Sequence, residues 1–333
     1  LDGASFLAWR PEHPYLRSMS RKFLFVMDPL ERILPDRDTT FVFMLEAQRR
    51  GADVYTCTIE QLFARGSRGY AQARRTTVSR EGPAFARFEE RVEPFEFYDA
   101  IFMRKDPPFD QAYLFATYLL SRTDPSATFV LNAPSGLREA NEKLYILNFP
   151  TVIPPTLVTC DIERLKDFVR DQGGRAILKP LDCCGGTGVF LASLDDRNLN
   201  ALLELSTQEG RRYVMAQQYI PEVRKGDKRI LVLDGVPIGA ILRVPRADDH
   251  RGNIHVGGTV VATELTARDY HITQTLAPRL RQDGLYFVGL DVIADFLTEV
   301  NVTSPTGIQE YNRLHNTRLE ERVLDFVYAR LPR

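Results

Sequence analysis

Apolar positions fall into short continuous runs separated by amphipathic stretches, the pattern of buried strands alternating with covering helices. Residues 21–28 (Arg-Lys-Phe-Leu-Phe-Val-Met-Asp) form one such run ending on Asp28, which predicts a buried parallel strand with its polar residue at the carboxyl end. Asp38 is placed to cap a helix through Arg50, and Gly51 to end it. Residues 52–59 read as the next strand, so the chain opens βαβ, the start of a doubly wound sheet. Residues 65–96, rich in Arg and Glu with weak periodicity, are expected to be solvated strands and loop. A strand from Tyr98 runs into Arg104-Lys105-Asp106-Pro107-Pro108, and a helix over Gln111–Arg122 and a strand over Thr128–Asn132 complete a first unit. Ligands in α/β sheets sit beyond the carboxyl ends of strands, where Asp28 and Arg104-Lys105-Asp106 fall; a surface salt-bridge loop is the alternative.

Residues 135–148 read as a helix carrying Asn141-Glu142-Lys143-Leu144, and Pro154-Pro155-Thr156 opens a new unit. Asp161 caps a helix over 162–172, which Gly173-Gly174 ends. An apolar strand from Ala176 then delivers Lys179 into the loop Asp182-Cys183-Cys184-Gly185-Gly186-Thr187-Gly188, and a second apolar strand follows. Glycines let backbone N–H groups approach a phosphate and a lysine supplies charge. The lysine precedes the glycines and no helix follows, so this is not a P-loop; a plain Gly-rich turn is the alternative. Tyr213–Ile220 is a strand, and Asp234-Gly235 between apolar runs predicts a hairpin. A polar stretch over 243–253 leads to Gly257-Gly258-Thr259, and helices are expected over Ala267–Gln282 and Leu319–Leu331.

Between those helices, two apolar runs flank Ala294-Asp295-Phe296, a tight hairpin loop. With the turn near Asp295, alternation puts Asp291, Glu299 and Asn301 on one face. Like charges facing each other repel, so the arrangement is costly unless a cation lies between them. Oxygen-only ligands suit Mg²⁺ or Mn²⁺, especially an ion shared with phosphates. A half-exposed hairpin with solvated acids is the alternative.

Composition narrows the class. With 43 Lys and Arg against 44 Asp and Glu, the formal charge of −1 gives no case for nucleic acid or an anionic membrane as partner. No apolar run approaches the roughly 20 residues of a membrane span. The four cysteines show neither a C-x-x-C nor a disulfide framework, which fits a reducing cytoplasm. The chain starts at Leu1, residues 1–20 are expected to be an N-terminal extension, and Met19 is a candidate natural start.

Two lysines, a Gly-rich loop, a strand edge, a basic loop and an acidic hairpin thus follow in one order, and this order resembles the ATP-grasp superfamily. Within it, Met103-Arg104-Lys105-Asp106-Pro107-Pro108-Phe109-Asp110, Asn141-Glu142-Lys143-Leu144, Gly226-Asp227-Lys228-Arg229, Arg251-Gly252-Asn253 and Asn301-Val302-Thr303-Ser304-Pro305-Thr306 look like prokaryotic-type glutathione synthetase. The resemblance covers about residues 21–330. It implies an ATP-grasp fold behind a Rossmann-like α/β domain, divided as 21–132, 133–220 and 221–333. It implies ATP-dependent joining of γ-glutamylcysteine to glycine through an acyl phosphate, with Mg²⁺ or Mn²⁺, in a cytoplasmic homo-oligomer, tetramer or dimer.

By the same resemblance, Lys143, Lys179, Gly185 and Gly186 hold the phosphates, Gln217-Gln218-Tyr219-Ile220 line the adenine, and Asp227 faces the ribose. Asp291, Glu299 and Asn301 hold the metal; Arg229, Arg251 and Lys179 are the catalytic candidates. Arg104, Arg229, Arg243, Arg251, Asn253, Asn301, Ser304 and Thr306 are the substrate-binding candidates. Loops 182–188 and 245–257 are expected to close over the acyl phosphate. The family's loop usually reads Asp-Gly-x-Gly-Gly, whereas this chain has Asp182-Cys183-Cys184-Gly185-Gly186. If the replaced glycine needs φ > 0, Cys183 is strained by about 1 kcal/mol or more. The rival expectations are another ATP-grasp carboxylate–amine ligase and a non-catalytic ATP-binding module.

Overall fold

The structure, a computed structural model, describes residues 20–81, 83–245 and 259–332. The expected N-terminal extension therefore lies outside the described residues, save Ser20.

The first unit runs β1 (Lys22–Met27), α1 (Thr39–Arg49), β2 (Asp53–Cys57), β3 (Leu62–Arg65), β4 (Arg68–Val78), β5 (Phe85–Pro94), β6 (Ala100–Arg104), α2 (Gln111–Leu120) and β7 (Phe129–Leu131). Its sheet has the order β3-β4-β2-β1-β6-β7, with β5 on the outer side of β4. β2, β1, β6 and β7 are parallel, while β3, β4 and β5 add an antiparallel extension. The side chain of Asp38 accepts from the Phe41 N–H at 2.6 Å, the N-cap that the sequence anticipates. The Arg- and Glu-rich segment is mostly strand: β4 buries Ala71 and Ala73 and exposes Arg68 and Arg74, and a bulge after Arg74 leaves Arg75 exposed as well.

The helix expected over 135–148 breaks. Only α3 (Pro134–Glu139) is helical, followed by a 3₁₀ turn over Leu144–Asn148. The Asn141 side-chain oxygen accepts from the N–H groups of Lys143 and Leu144, at 3.1 and 3.0 Å, and this local bond turns the chain.

The second unit comprises β8 (Thr156–Thr159), α4 (Ile162–Asp171), β9 (Arg175–Pro180), β10 (Phe190–Ser193), α5 (Leu199–Thr207) and β11 (Val214–Gln218). It is an antiparallel sheet of order β10-β9-β11-β8, with its own small core of Leu165, Val169, Leu178, Leu203 and Ala216. The third unit comprises β12 (Asp227–Leu233), β13 (Val236–Val244), β14 (Thr259–Ala262), α6 (Ala267–Gln282), β15 (Phe287–Ile293), β16 (Phe296–Asn301), α7 (Ile308–His315) and α8 (Leu319–Tyr328). Its antiparallel sheet has the order β14-β13-β12-β15-β16. Asp234 and Gly235 both take left-handed φ, +51° and +71°, as an Asp-Gly hairpin turn requires.

The first and third units share cores. Leu24 and Ile101 of the parallel sheet lie in one cluster with Ile230, Leu290 and Val300. On the outside, the fully buried Glu46 of α1 is bonded by Arg49, Arg50 and Arg318, which anchors the turn before α8. Asn132 clamps the seam itself. Its backbone sits at φ +58°, which Asn tolerates better than most residues. Its amide nitrogen donates to the carbonyls of Phe287 and Val302, at 2.8 and 3.0 Å, and its oxygen accepts from the Phe287 N–H at 2.8 Å. Replacing it leaves buried backbone groups of β15 and the segment after β16 unpaired. Asn132→Ala is therefore expected to lower stability by about 3 kcal/mol. Urea denaturation checks this; a midpoint close to wild type would mean the seam is held by packing alone.

Candidate active site

A cleft lies between the second and third sheets. Its walls are Lys179 at the end of β9, Gln217 and Gln218 at the end of β11, and Tyr219 and Ile220 beyond it. Asp227 and Arg229 come from β12, Arg243 from β13, Asp291 from β15, and Glu299 and Asn301 from β16. Lys143 and the loop residues Cys183, Cys184, Gly185 and Gly186 complete it. Ile177, Val189, Val223 and Ile293 supply apolar wall.

Backbone pairing places the acids as the alternation argument required. Asp291 pairs with Glu299 and Gly289 with Asn301, with a bulge just after Asp291. The Arg229 guanidinium grips Asp291 through two bonds, at 2.5 and 3.1 Å, and Arg243 reaches the same carboxylate at 3.0 Å. Arg243 also pairs with Asp227. Gly289 makes room for this, since a Cβ there would lie 3.0 Å from Cδ of Arg229. Burial works against the Asp291 charge, but Arg229 and Arg243 outweigh it and hold the carboxyl well below its ordinary range.

The two lysines differ. The Lys143 ammonium donates to the Cys183 carbonyl at 2.6 Å and to Glu299 at 3.2 Å. Burial opposes its charge, but Glu299 raises its pKa. The Lys179 ammonium donates to the side-chain oxygen of Gln217 at 2.5 Å, and burial lowers its pKa. Gln217 in turn donates to Thr156 at 3.1 Å, so its side chain positions Lys179.

The donor set suits a hard divalent cation. Glu299 Oε2 and Asn301 Oδ1 accept no hydrogen bond among the described residues, and the Asn301 amide is oriented by donating to the Gly289 carbonyl at 3.3 Å. Among the described residues no three His, Cys, Asp or Glu side chains form a metal cage by themselves. Both Asp291 oxygens are held by Arg229 and Arg243, so Asp291 would share its carboxylate between the arginines and the ion, and phosphate oxygens would complete the shell.

Some expected residues lie elsewhere. Arg104 does not line this cleft. It is only 4% exposed, its guanidinium stacks between Phe43 and Phe287, and it donates to Thr40 and to the Pro305 carbonyl. It thus props the Ser304–Thr306 segment from beneath, and Ser304 and Thr306 also fall outside the cleft lining. Arg251 and Asn253, with most of the loop expected over 245–257, lie outside the described residues. Cys183 carries no left-handed strain, because Gly185, Gly186 and Gly188 take the positive φ values, +66°, +78° and +71°. Glu142, to which sequence reasoning gave no role, accepts from the Val302 and Thr303 N–H groups and from the Thr303 hydroxyl. Its only signal in the sequence is an acid directly beside Lys143.

Comparison with known proteins identifies the family. Residues 21–138 match the family model described as prokaryotic glutathione synthetase, N-terminal domain, and residues 142–316 match its ATP-grasp domain. The chain belongs to the prokaryotic glutathione synthetase family. It is 47% identical to a glutathione synthetase of Thermosynechococcus vestitus, over 92% of this chain and 99% of that protein. It is 49% identical to one of Gloeobacter violaceus, over 92% and 96%. Among solved structures, D-cycloserine synthetase DcsG matches with TM-score 0.62 at 17% identity, over 92% of this chain and 99% of that one. The ATP-grasp ligase PsnB, complexed with minimal precursor, Mg and ADP, matches with TM-score 0.60 at 16% identity, over 94% and 98%. Those two likenesses show the ATP-grasp fold. The chain is thus an ATP-dependent ligase of glutathione biosynthesis, as its motifs led us to expect.

Asp227 gives the cleft a pH dependence. Burial pushes its carboxyl up to about 6; Arg243 pulls against that shift and the Asp291 charge adds to it. The carboxylate is charged above this value and neutral below it. If it accepts a bond from the nucleotide, kcat/KM for ATP is expected to fall as pH drops through about 6, by up to tenfold per unit. Asp227→Asn should remove that limb and lower kcat/KM at pH 8. An acid limb of the same position in the Asn variant would assign the titration elsewhere.

Proposed function

We propose that this cleft binds ATP with a divalent cation and transfers its terminal phosphoryl group to the carboxylate of γ-glutamylcysteine, whose acyl phosphate the amine of glycine then attacks. The observation that carries the proposal is the convergence, in one cleft, of Lys143, Lys179, the Gly185-Gly186 loop, Asp291, Glu299 and Asn301. Phosphoryl transfer to a carboxylate brings several negative groups together, so catalysis consists mainly of positioning and charge neutralisation.

In this reading Lys143 and Lys179 supply charge to the phosphates, and Gly185 and Gly186 present backbone N–H groups to them. Gln218, Tyr219 and Ile220 edge the adenine against the apolar wall, and the unpaired oxygen of Asp227 accepts from the ribose. Asp291, Glu299 and Asn301 would hold Mg²⁺ or Mn²⁺, which would supply positive charge against the phosphates. Arg229 and Arg243, already at the base of the cleft, stabilise charge developing at the reacting carboxylate, with Arg251 and Asn253 assisting. Arg104 and Glu142 position the segment in which Ser304 and Thr306 meet the peptide substrate. The division at residues 132 and 220 separates a substrate domain, a lid-bearing subdomain and a metal-bearing subdomain. The enzyme works as a cytoplasmic homo-oligomer, dimer or tetramer, which light scattering tests. Among the described residues no helix is long and apolar enough to cross a membrane.

ADP release is expected only when γ-glutamylcysteine and glycine are both present with ATP and Mg²⁺, with glutathione as product. A chelator should abolish it, and Lys179→Met should lower kcat by about a hundredfold or more. Equal turnover with a different acid–amine pair would move the substrate assignment while leaving the nucleotide site.

A further inference from the structure

The loop over the cleft carries two adjacent thiols that the ligase reaction does not use. Cys183 and Cys184 both line the cleft; Cys183 is half-buried and Cys184 is exposed. Nη2 of Arg212 lies 3.8 Å from Sγ of Cys183, and the same guanidinium pairs with Asp182, whose Oδ1 lies 3.7 Å from that sulfur, so Cys183 sits against an Arg212–Asp182 ion pair at the edge of the cleft. Partial exposure in the cleft wall opens this sulfur to a small disulfide, and the next residue supplies a second thiol that can resolve the adduct. The other two cysteines serve as internal contrasts. Cys57 is buried and burial pushes its pKa far up, while Cys160, half-buried in the segment between β8 and α4, lies outside the cleft lining.

We propose that Cys183 is a thiol–disulfide exchange site whose oxidant is the disulfide form of the enzyme's own thiol product. The Cys183 thiol loses its proton to solvent, and the thiolate sulfur attacks one sulfur of the low-molecular-weight disulfide. The S–S bond of that disulfide breaks, one thiolate leaves and takes up a proton, and a mixed disulfide remains on Cys183. Protein and small molecule thus exchange one disulfide for one thiol, with no other oxidant. The exposed Cys184 allows a second exchange. Its sulfur, once deprotonated to solvent, attacks Cys183 Sγ; the bond from Cys183 to the small molecule breaks, and the second small thiolate leaves and takes up a proton, closing a disulfide between adjacent residues. Neighbouring Cα atoms are about 3.8 Å apart, below the usual span for a disulfide, so this ring is strained and readily reduced.

The modification reaches the nucleotide through one contact. The Cys183 carbonyl accepts from the Lys143 ammonium, so a bulky adduct at this residue moves the loop that Lys143 and Gly185-Gly186 share. The inhibition rests on the nucleotide reading of the cleft; the chemistry at sulfur does not.

The reduced, full-length enzyme is treated with glutathione disulfide, and intact mass, peptide maps and ADP release are read separately. One glutathionyl group is expected on Cys183 before any on Cys57 or Cys160. ADP release should fall by about tenfold as the label appears and return with dithiothreitol. Saturating Mg·ATP should slow labelling. Cys183→Ser, compared with its own untreated rate, should lose the early label and the inhibition; Cys184→Ser should keep the label and lose the internal disulfide. Early label on Cys160 or Cys184 alone, or full label on Cys183 with unchanged ADP release, would overturn the proposal. Labelling of Cys183 in an enzyme that makes no ADP before treatment would count against the nucleotide reading instead.

Discussion

The site depends on keeping two buried carboxylates charged next to each other. Asp227, Arg243, Asp291 and Arg229 form a chain of alternating sign across β12, β13 and β15 at the base of the cleft. Each carboxylate alone would be driven toward its neutral form by burial. The arginines prevent this at Asp291 but only partly at Asp227, so neighbours on adjacent strands titrate in opposite directions. The pairing register is what puts them there. A one-residue slip of β15 against β12 would send Asp291 to the other face, strip the buried Arg229 of its carboxylate and leave Arg243 with Asp227 alone.

The rest of the fold keeps that register fixed while leaving one wall of the cleft less tied. The third sheet is locked to the parallel sheet through Asn132 and through a shared apolar core. The second sheet has a separate, smaller core and contributes Lys179 and the Gly-rich loop. Rigid acids on one side and a lysine-bearing subdomain on the other is an arrangement that can admit a nucleotide and then exclude water around it. The contacts that Lys143 makes with Cys183 and Glu299 join the two sides.

Much of this was legible in the sequence because period-2 alternation and turn chemistry are local. Asp291, Glu299 and Asn301 were placed on one face from alternation and the position of the turn alone. The Asp234-Gly235 hairpin and the α1 cap were equally local. What escaped is set by tertiary context. The helix read through Lys143 stops at Glu139, because Asn141 offers the backbone a competing hydrogen bond that no periodicity reveals. The short elements β8, α5, β14 and α7 carry too few residues for a period to stand out. Strain foreseen at Cys183 is absent because three downstream glycines carry the left-handed turns.

Arg104 shows how a residue of a family motif is tied to a segment far along the chain. Its position at the carboxyl end of β6 is where ligands collect in α/β sheets, so a charged residue there invites a substrate role. In the fold, however, the strand end is covered by the segment after β16. The guanidinium lies between two aromatic faces and spends its Nη2 donor on the Pro305 carbonyl. Two motifs some 200 positions apart in the chain therefore meet through one hydrogen bond. Glu142 meets the same segment from the other side through Val302 and Thr303. A buried cation and a carboxylate thus fix the backbone that carries Ser304 and Thr306. Linear reading separates these residues because each supports the site through a contact that exists only once all three sheets are assembled.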